Sequence, residues 1–219
     1  MTMFSAAGRW GLLVFLFLFG CNQEEGAKRK VDEFNRGTIH VSCDESFKPV
    51  IDAQVEVYES LYPEAKIIVH YKPEAECIRD FLNDTIRMVI ATRGYSDAES
   101  QLISDSLRVE PEKLVIAHDL IAVIIHPESK ERFFNMTEIR DLLTGRLKKY
   151  LIPVFDGISA TSTVRFMLDS VLRGEPFGSH VVAAQSSAGV IDYVSKTPNA
   201  VGFVGFSWIG NKDDTTQLS

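Results

Sequence analysis

Residues 155–166 read FDGISATSTVRF. They lie between an apolar run, 151–154, and an amphipathic stretch in which Phe166, Met167, Val171 and Leu172 are apolar. A strand-to-helix connection needs one capping side chain, and this one offers two serines and two threonines beside Gly157 and Ala160. Ser159 and Thr161 supply hydroxyl donors, and the backbone N–H groups of residues 160–163 are free at a helix start. Small side chains let a ligand approach that backbone. Arg165 lies one turn in, and helical side chains lean toward the N-terminus, so its guanidinium can reach back. The chemistry of this set is the holding of an oxyanion. Two other readings stay open. One is a plain helix cap. The other is a nucleophile elbow, since residues 157–161 approximate G-x-S-x-G without the final glycine, but only His180 follows to act as a base.

The elements that must position these groups alternate. Strand candidates are 38–41, 66–71 and 87–91, with helices from Ser46 to about Tyr62, over 74–83 and over 97–107. Val50, Ile51, Val55, Tyr58 and Leu61 fall on one face of the first helix, and Pro63 stops it. Two strand-like runs follow, 113–117 and 120–126, with His118-Asp119 between them. A helix capped by Thr137-Glu138 is expected over 137–143, then a strand over 151–155 and a helix from the hydroxyl loop to Leu172. Residues 187–195 predict another helix and 200–210 a glycine-rich strand. This is the signature of an α/β fold. The alternation occurs twice, which predicts two lobes with a ligand cleft between them.

The chain has 219 residues and a formal net charge of −7. No basic footprint for nucleic acid is present. Residues 1–20 carry WGLLVFLFLF, too short to span a bilayer but long enough for a signal peptide. Gly20-Cys21 resembles a bacterial lipobox, which implies cleavage and lipidation of Cys21. Residues 21–36 read as a flexible tether. Cys43 and Cys77 are expected as small buried side chains, although an exported chain can pair them. The five histidines, 40, 70, 118, 126 and 180, are scattered, and a metal site is not expected.

Four stretches in order, HVSCDESFKPV, IATRG, DGISAT and AVGF, resemble the phosphate-binding proteins of bacterial ABC transporters. That family implies a two-lobed type II periplasmic-binding-protein fold over residues 37–210. It implies a first lobe over 37–117 and a second lobe with crossing strands over 118–204. Residues 205–219 would begin a shortened return to the first lobe. It also implies anion contacts at Ser46 and Phe47, at Thr92 and Arg93, and at Ser159, Ala160 and Thr161. Three departures stand out. Asp44 and Glu45 replace small residues in the first loop. Arg93 replaces an aspartate that accepts the ligand's proton. The arginine that usually precedes the small residues is absent, and Arg165 is the nearest.

The expectation is a non-enzymatic, lipid-anchored solute-binding protein of the cell envelope, periplasmic or surface-exposed. It would need no cofactor. It would bind phosphate or a related oxyanion and deliver it to an ABC transporter permease. The alternative is a cell-surface or signalling protein that uses the same fold for an organic anion or a protein partner.

Overall fold

The computed structural model describes residues 33–210 except Asp84 and Val109. The expected signal segment, Cys21 and most of the tether lie outside the described residues. Two sheets organise the chain. The first has the order β2-β1-β3 and is wholly parallel, from β1 (Arg36–Asp44), β2 (Glu64–Lys72) and β3 (Ile86–Ile90). Helices α1 (Lys48–Leu61) and α2 (Glu74–Asp80) make the crossovers, and α3 (Asp97–Leu107) follows β3. The second sheet has the order β4-β7-β5-β6, from β4 (Ile121–Ile125), β5 (Ile152–Phe155), β6 (Val182–Ala183) and β7 (Ala200–Gly205). Here β4 runs antiparallel to β7, while β5 is parallel to both neighbours.

The second lobe holds both buried apolar clusters of the described residues. One packs α4 (Met136–Thr144) and the helix after β5 against Phe155, Val201 and Phe203. The other packs α6 (Ser187–Lys196) against Val154, Ala200 and Val204. Gly202 permits that second contact, because a Cβ there would sit 2.7 Å from Val190 Cγ1 and 2.8 Å from Val194 Cγ2. The helix after β5 begins as α5 (Ser162–Phe166) and continues with a π-helical turn, Met167–Val171. Arg173 and Gly174 then take left-handed φ angles and end it.

Several boundaries differ from the sequence expectation for local reasons. Ser46 lies within a 3-10 turn, Glu45–Phe47, capped by Asp44, and α1 starts after Phe47 with Pro49 in its first turn. Asn135, not Thr137, caps α4, with Glu138 completing a capping box. The run 200–210 is a strand only to Gly205, then a 3-10 turn, Phe206–Trp208. The predicted strand over 113–117 is not formed. Residues 110–120 carry no regular structure, and Leu114 and Ile116 are 78% and 74% exposed. Among the described residues no strand pairs with this segment, so its backbone has no ladder to join.

Candidate functional site

Contacts between the lobes form beyond the carboxyl ends of β1, β3 and β5, the kind of place where open α/β sheets collect ligands. Beyond β1 the chain turns at Asp44. Its Oδ1 accepts from the Ser46 N–H at 3.1 Å, while its buried Oδ2 has no hydrogen-bond partner among the described residues. Burial pushes the Asp44 carboxyl up, partly offset by the nearby Ser162 hydroxyl and the Ser46 N–H, which favour its charged form. The Ser46 hydroxyl crosses to the second lobe and lies 3.0 Å from the Ser162 hydroxyl. Phe47 caps α1 with its backbone and is half-buried.

Beyond β5 the hydroxyl-rich loop holds Ala160 at φ +74°, a left-handed conformation rare for a residue with a Cβ. The turn presents the Ala160 carbonyl to the first lobe, where the Ala75 N–H donates to it at 3.2 Å. Thr161 is the N-cap of α5. Its Oγ1 accepts from the Val164 N–H at 3.3 Å and donates to Asp156 Oδ1 at 2.9 Å. Asp156 is buried, and burial with Glu45 and Asp44 nearby raises its carboxyl to about 6. Ser159 is exposed at the loop's tip.

Beyond β3, Thr92 and Arg93 diverge. Arg93 turns to the first turn of α3 and grips Glu99 with both terminal nitrogens, at 2.7 and 2.9 Å. This pair and the Ser96 donors hold Glu99 down to about 2. Thr92 instead meets the second lobe, and Arg165 Nη2 donates to its Oγ1 at 2.7 Å. The two residues are 73 positions apart in the chain. Arg165 also pairs weakly with Asp169 one turn on, at 3.9 Å.

The structure therefore sets Ser46, Thr92, Ala160 and Arg165 in contacts between the lobes, keeps Thr161 within its own loop and gives Arg93 to Glu99. It adds a residue that sequence reasoning missed. Glu74, at the start of α2, is 2% exposed and accepts from Arg165 Nε at 2.7 Å and from the Thr92 N–H at 3.1 Å. The Thr92 hydroxyl donates to it as well. An acid in a first helical turn is ordinary, so no sequence signal marked it. Glu45 of the first loop also crosses the cleft, accepting from the Ser187 hydroxyl at 2.8 Å.

Two histidines do converge. His40 and His70 stack with ring centroids 5.2 Å apart and ring nitrogens 2.9 Å apart, within the first sheet and away from the cleft. Among the described residues no group of three or more His, Cys, Asp or Glu side chains is placed to hold a metal ion. Cys43 and Cys77 are buried and free, and burial pushes both thiols up.

A family model described as a PBP superfamily domain matches residues 30–218. The chain belongs to that family. The chain is similar to the phosphate-binding protein PstS of Pseudomonas aeruginosa, at 20% identity over 70% of this chain and 54% of that protein. The chain thus spans about half the length of this curated relative. Among solved structures, a phosphate ABC transporter substrate-binding protein from Clostridium perfringens with bound phosphate superposes with a TM-score of 0.68, at 18% identity, over 79% of this chain and 72% of that one. A single-substitution variant of the OxyR2 regulatory domain of Vibrio vulnificus superposes with a TM-score of 0.60, at 9% identity, over 85% of this chain and 80% of that one. At these identities the structures establish the shared fold, a two-lobed type II periplasmic-binding-protein fold.

Proposed function

We propose that this PBP-superfamily chain is a non-enzymatic solute-binding protein of an ABC importer that takes phosphate or a related small oxyanion between its lobes. The observation that carries this is the contact of Arg165 with Thr92, a cation and a hydroxyl drawn from facing lobes to one point. Two further contacts cross between the lobes nearby, Ser46 with Ser162 and Ala160 with Ala75. A guanidinium fork matches two oxygens of a tetrahedral anion. The similarity to phosphate-binding proteins supports phosphate as the first ligand to try. The acidic surroundings, Asp44 and Asp156 above all, favour a protonated over a fully ionised anion.

Closure of the lobes would present the loaded protein to a membrane permease. Lipidation at Cys21 would hold it at the cell envelope, and an unmodified N-terminus on membrane-extracted protein, read by intact mass, would remove that part.

Calorimetry with inorganic phosphate and sulfate tests the site. A charge-assisted hydrogen bond nets about 1.5–3 kcal/mol, so Arg165→Ala should weaken binding about tenfold to a hundredfold. Equal affinity in the wild type and Arg165→Ala would remove Arg165 from the site.

A further inference from the structure

Glu74 is a buried carboxylate, and a buried charge is costly unless it is paired and hydrogen-bonded. Its partners are not spare groups. They are the Thr92 N–H, the Thr92 hydroxyl, and Arg165 through Nε at 2.7 Å and Nη2 at 3.4 Å. Arg93 Nε stands 3.9 Å away as an outer cation. A carboxylate presents two oxygens to a guanidinium fork, as one edge of a tetrahedral oxyanion does. Glu74 therefore makes the contacts that an oxyanion at Arg165 and Thr92 would make.

The charges lead the same way. Arg93 is taken by Glu99 and Arg165 by Glu74, while Asp44, Glu45 and Asp156 add only negative charge nearby. Among the described residues, a divalent anion approaching Thr92 meets both nearby guanidiniums, Arg93 and Arg165, already paired. Glu45 acts in parallel, reaching from the first lobe to the Ser187 hydroxyl of the second. Both lobes are thus joined through carboxylates of the first.

We propose that Glu74 is a built-in occupant of the oxyanion cradle, a tethered anion that an incoming oxyanion displaces from Arg165 and Thr92. This rests on the binding function proposed above. A tethered competitor acts at an effective concentration in the millimolar range. It lowers the apparent affinity by the fraction of molecules in which the cradle is free. Glu74 then sets how much oxyanion is needed before the protein responds.

The test is calorimetry of wild type, Glu74→Gln and Glu74→Ala with inorganic phosphate and with sulfate, each variant first checked for a cooperative melt. Both variants should bind both anions at least tenfold more tightly than the wild type. Acetate should compete with phosphate in Glu74→Ala, where it can fill the emptied carboxylate position, and should have no effect in the wild type. Glu74→Gln has the shape of the native side chain and serves if the alanine variant does not fold. Binding in the wild type with equal or weaker binding in the variants overturns the occupant and leaves the binding function standing. Binding in the variants alone supports the occupant and overturns the wild type as a working receptor. Silence in all three overturns both.

Discussion

The strand β5-β7 pair at the centre of the second sheet is filled by Val154, Phe155, Val201, Phe203 and Val204, whereas the central strand of the first sheet ends in Val41, Ser42, Cys43 and Asp44, all buried. Phe155 and Phe203 stack with centroids 4.7 Å apart and rings 7° from parallel. Ser42 instead donates to Asp80, which also accepts from Lys72. On α1 no residue is buried. Burying a large apolar side chain contributes roughly 1.5–3 kcal/mol, so the second lobe holds most of the apolar stabilisation. The first lobe brings polar groups to the cleft edge instead. One lobe is the support, and the other supplies Thr92, Glu74 and Glu45 to the interface.

The largest test of that division is Phe203→Ala. Deleting a fully buried phenylalanine costs about 3–5 kcal/mol. Urea melts should show that loss as a lower midpoint with little change in slope. A loss under about 1 kcal/mol would mean that the second lobe is not the stabilising one.

Asp156 sits where support turns into cleft, and its substitution should act in the opposite direction. Its carboxyl lies at about 6 in the folded protein, above the unfolded value of about 4. Between those values the native state holds the extra proton. Stability from this group is therefore fully present below about pH 4 and lost as pH rises through about 6. The penalty above that window is roughly 2–3 kcal/mol at about 1.4 kcal/mol per pH unit. Asp156→Asn keeps an oxygen to accept from Thr161 and cannot ionise. It should be the more stable protein at pH 7.5, by up to roughly 2 kcal/mol, and no better than wild type near pH 4. Parallel stability curves for the two proteins across pH 4–8 would refute the burial cost.

The sequence expectation succeeded where the cause of an element is local. Ser96 and Glu99 form the capping box that starts α3, and the helix runs over Asp97–Leu107 as its periodicity implies. The order of strands and helices, and the hydroxyl loop at the end of β5, also follow from local pattern. The failures share a different cause. Residues 113–117 have strand composition, yet a strand needs a neighbour, and nothing in the run itself says whether one exists. Glu74 and Arg165 are 91 positions apart, so their pairing is set by how the lobes meet. Arg93 had two acidic options in range, and the turn before α3 gave it to Glu99.

The smallest expected effect belongs to α1. The sequence puts Val50, Ile51, Val55, Tyr58 and Leu61 on one face of α1, yet Leu61 is exposed, and Val57, off that face, is 56% exposed. A half-exposed valine on a helix contributes little burial, while its branched Cβ loses rotamer freedom against the preceding turn. Val57→Ala removes that restriction and gains helix propensity of up to roughly 0.6 kcal/mol. The lost apolar contact subtracts about as much again at most, since only part of the side chain is covered. The net change in a urea melt should therefore lie within about 0.5 kcal/mol of zero. A loss above about 1 kcal/mol would mean that the outer face of α1 is covered in solution. The first lobe would then have an apolar contact that the described residues do not supply, and the contrast between the two lobes would shrink.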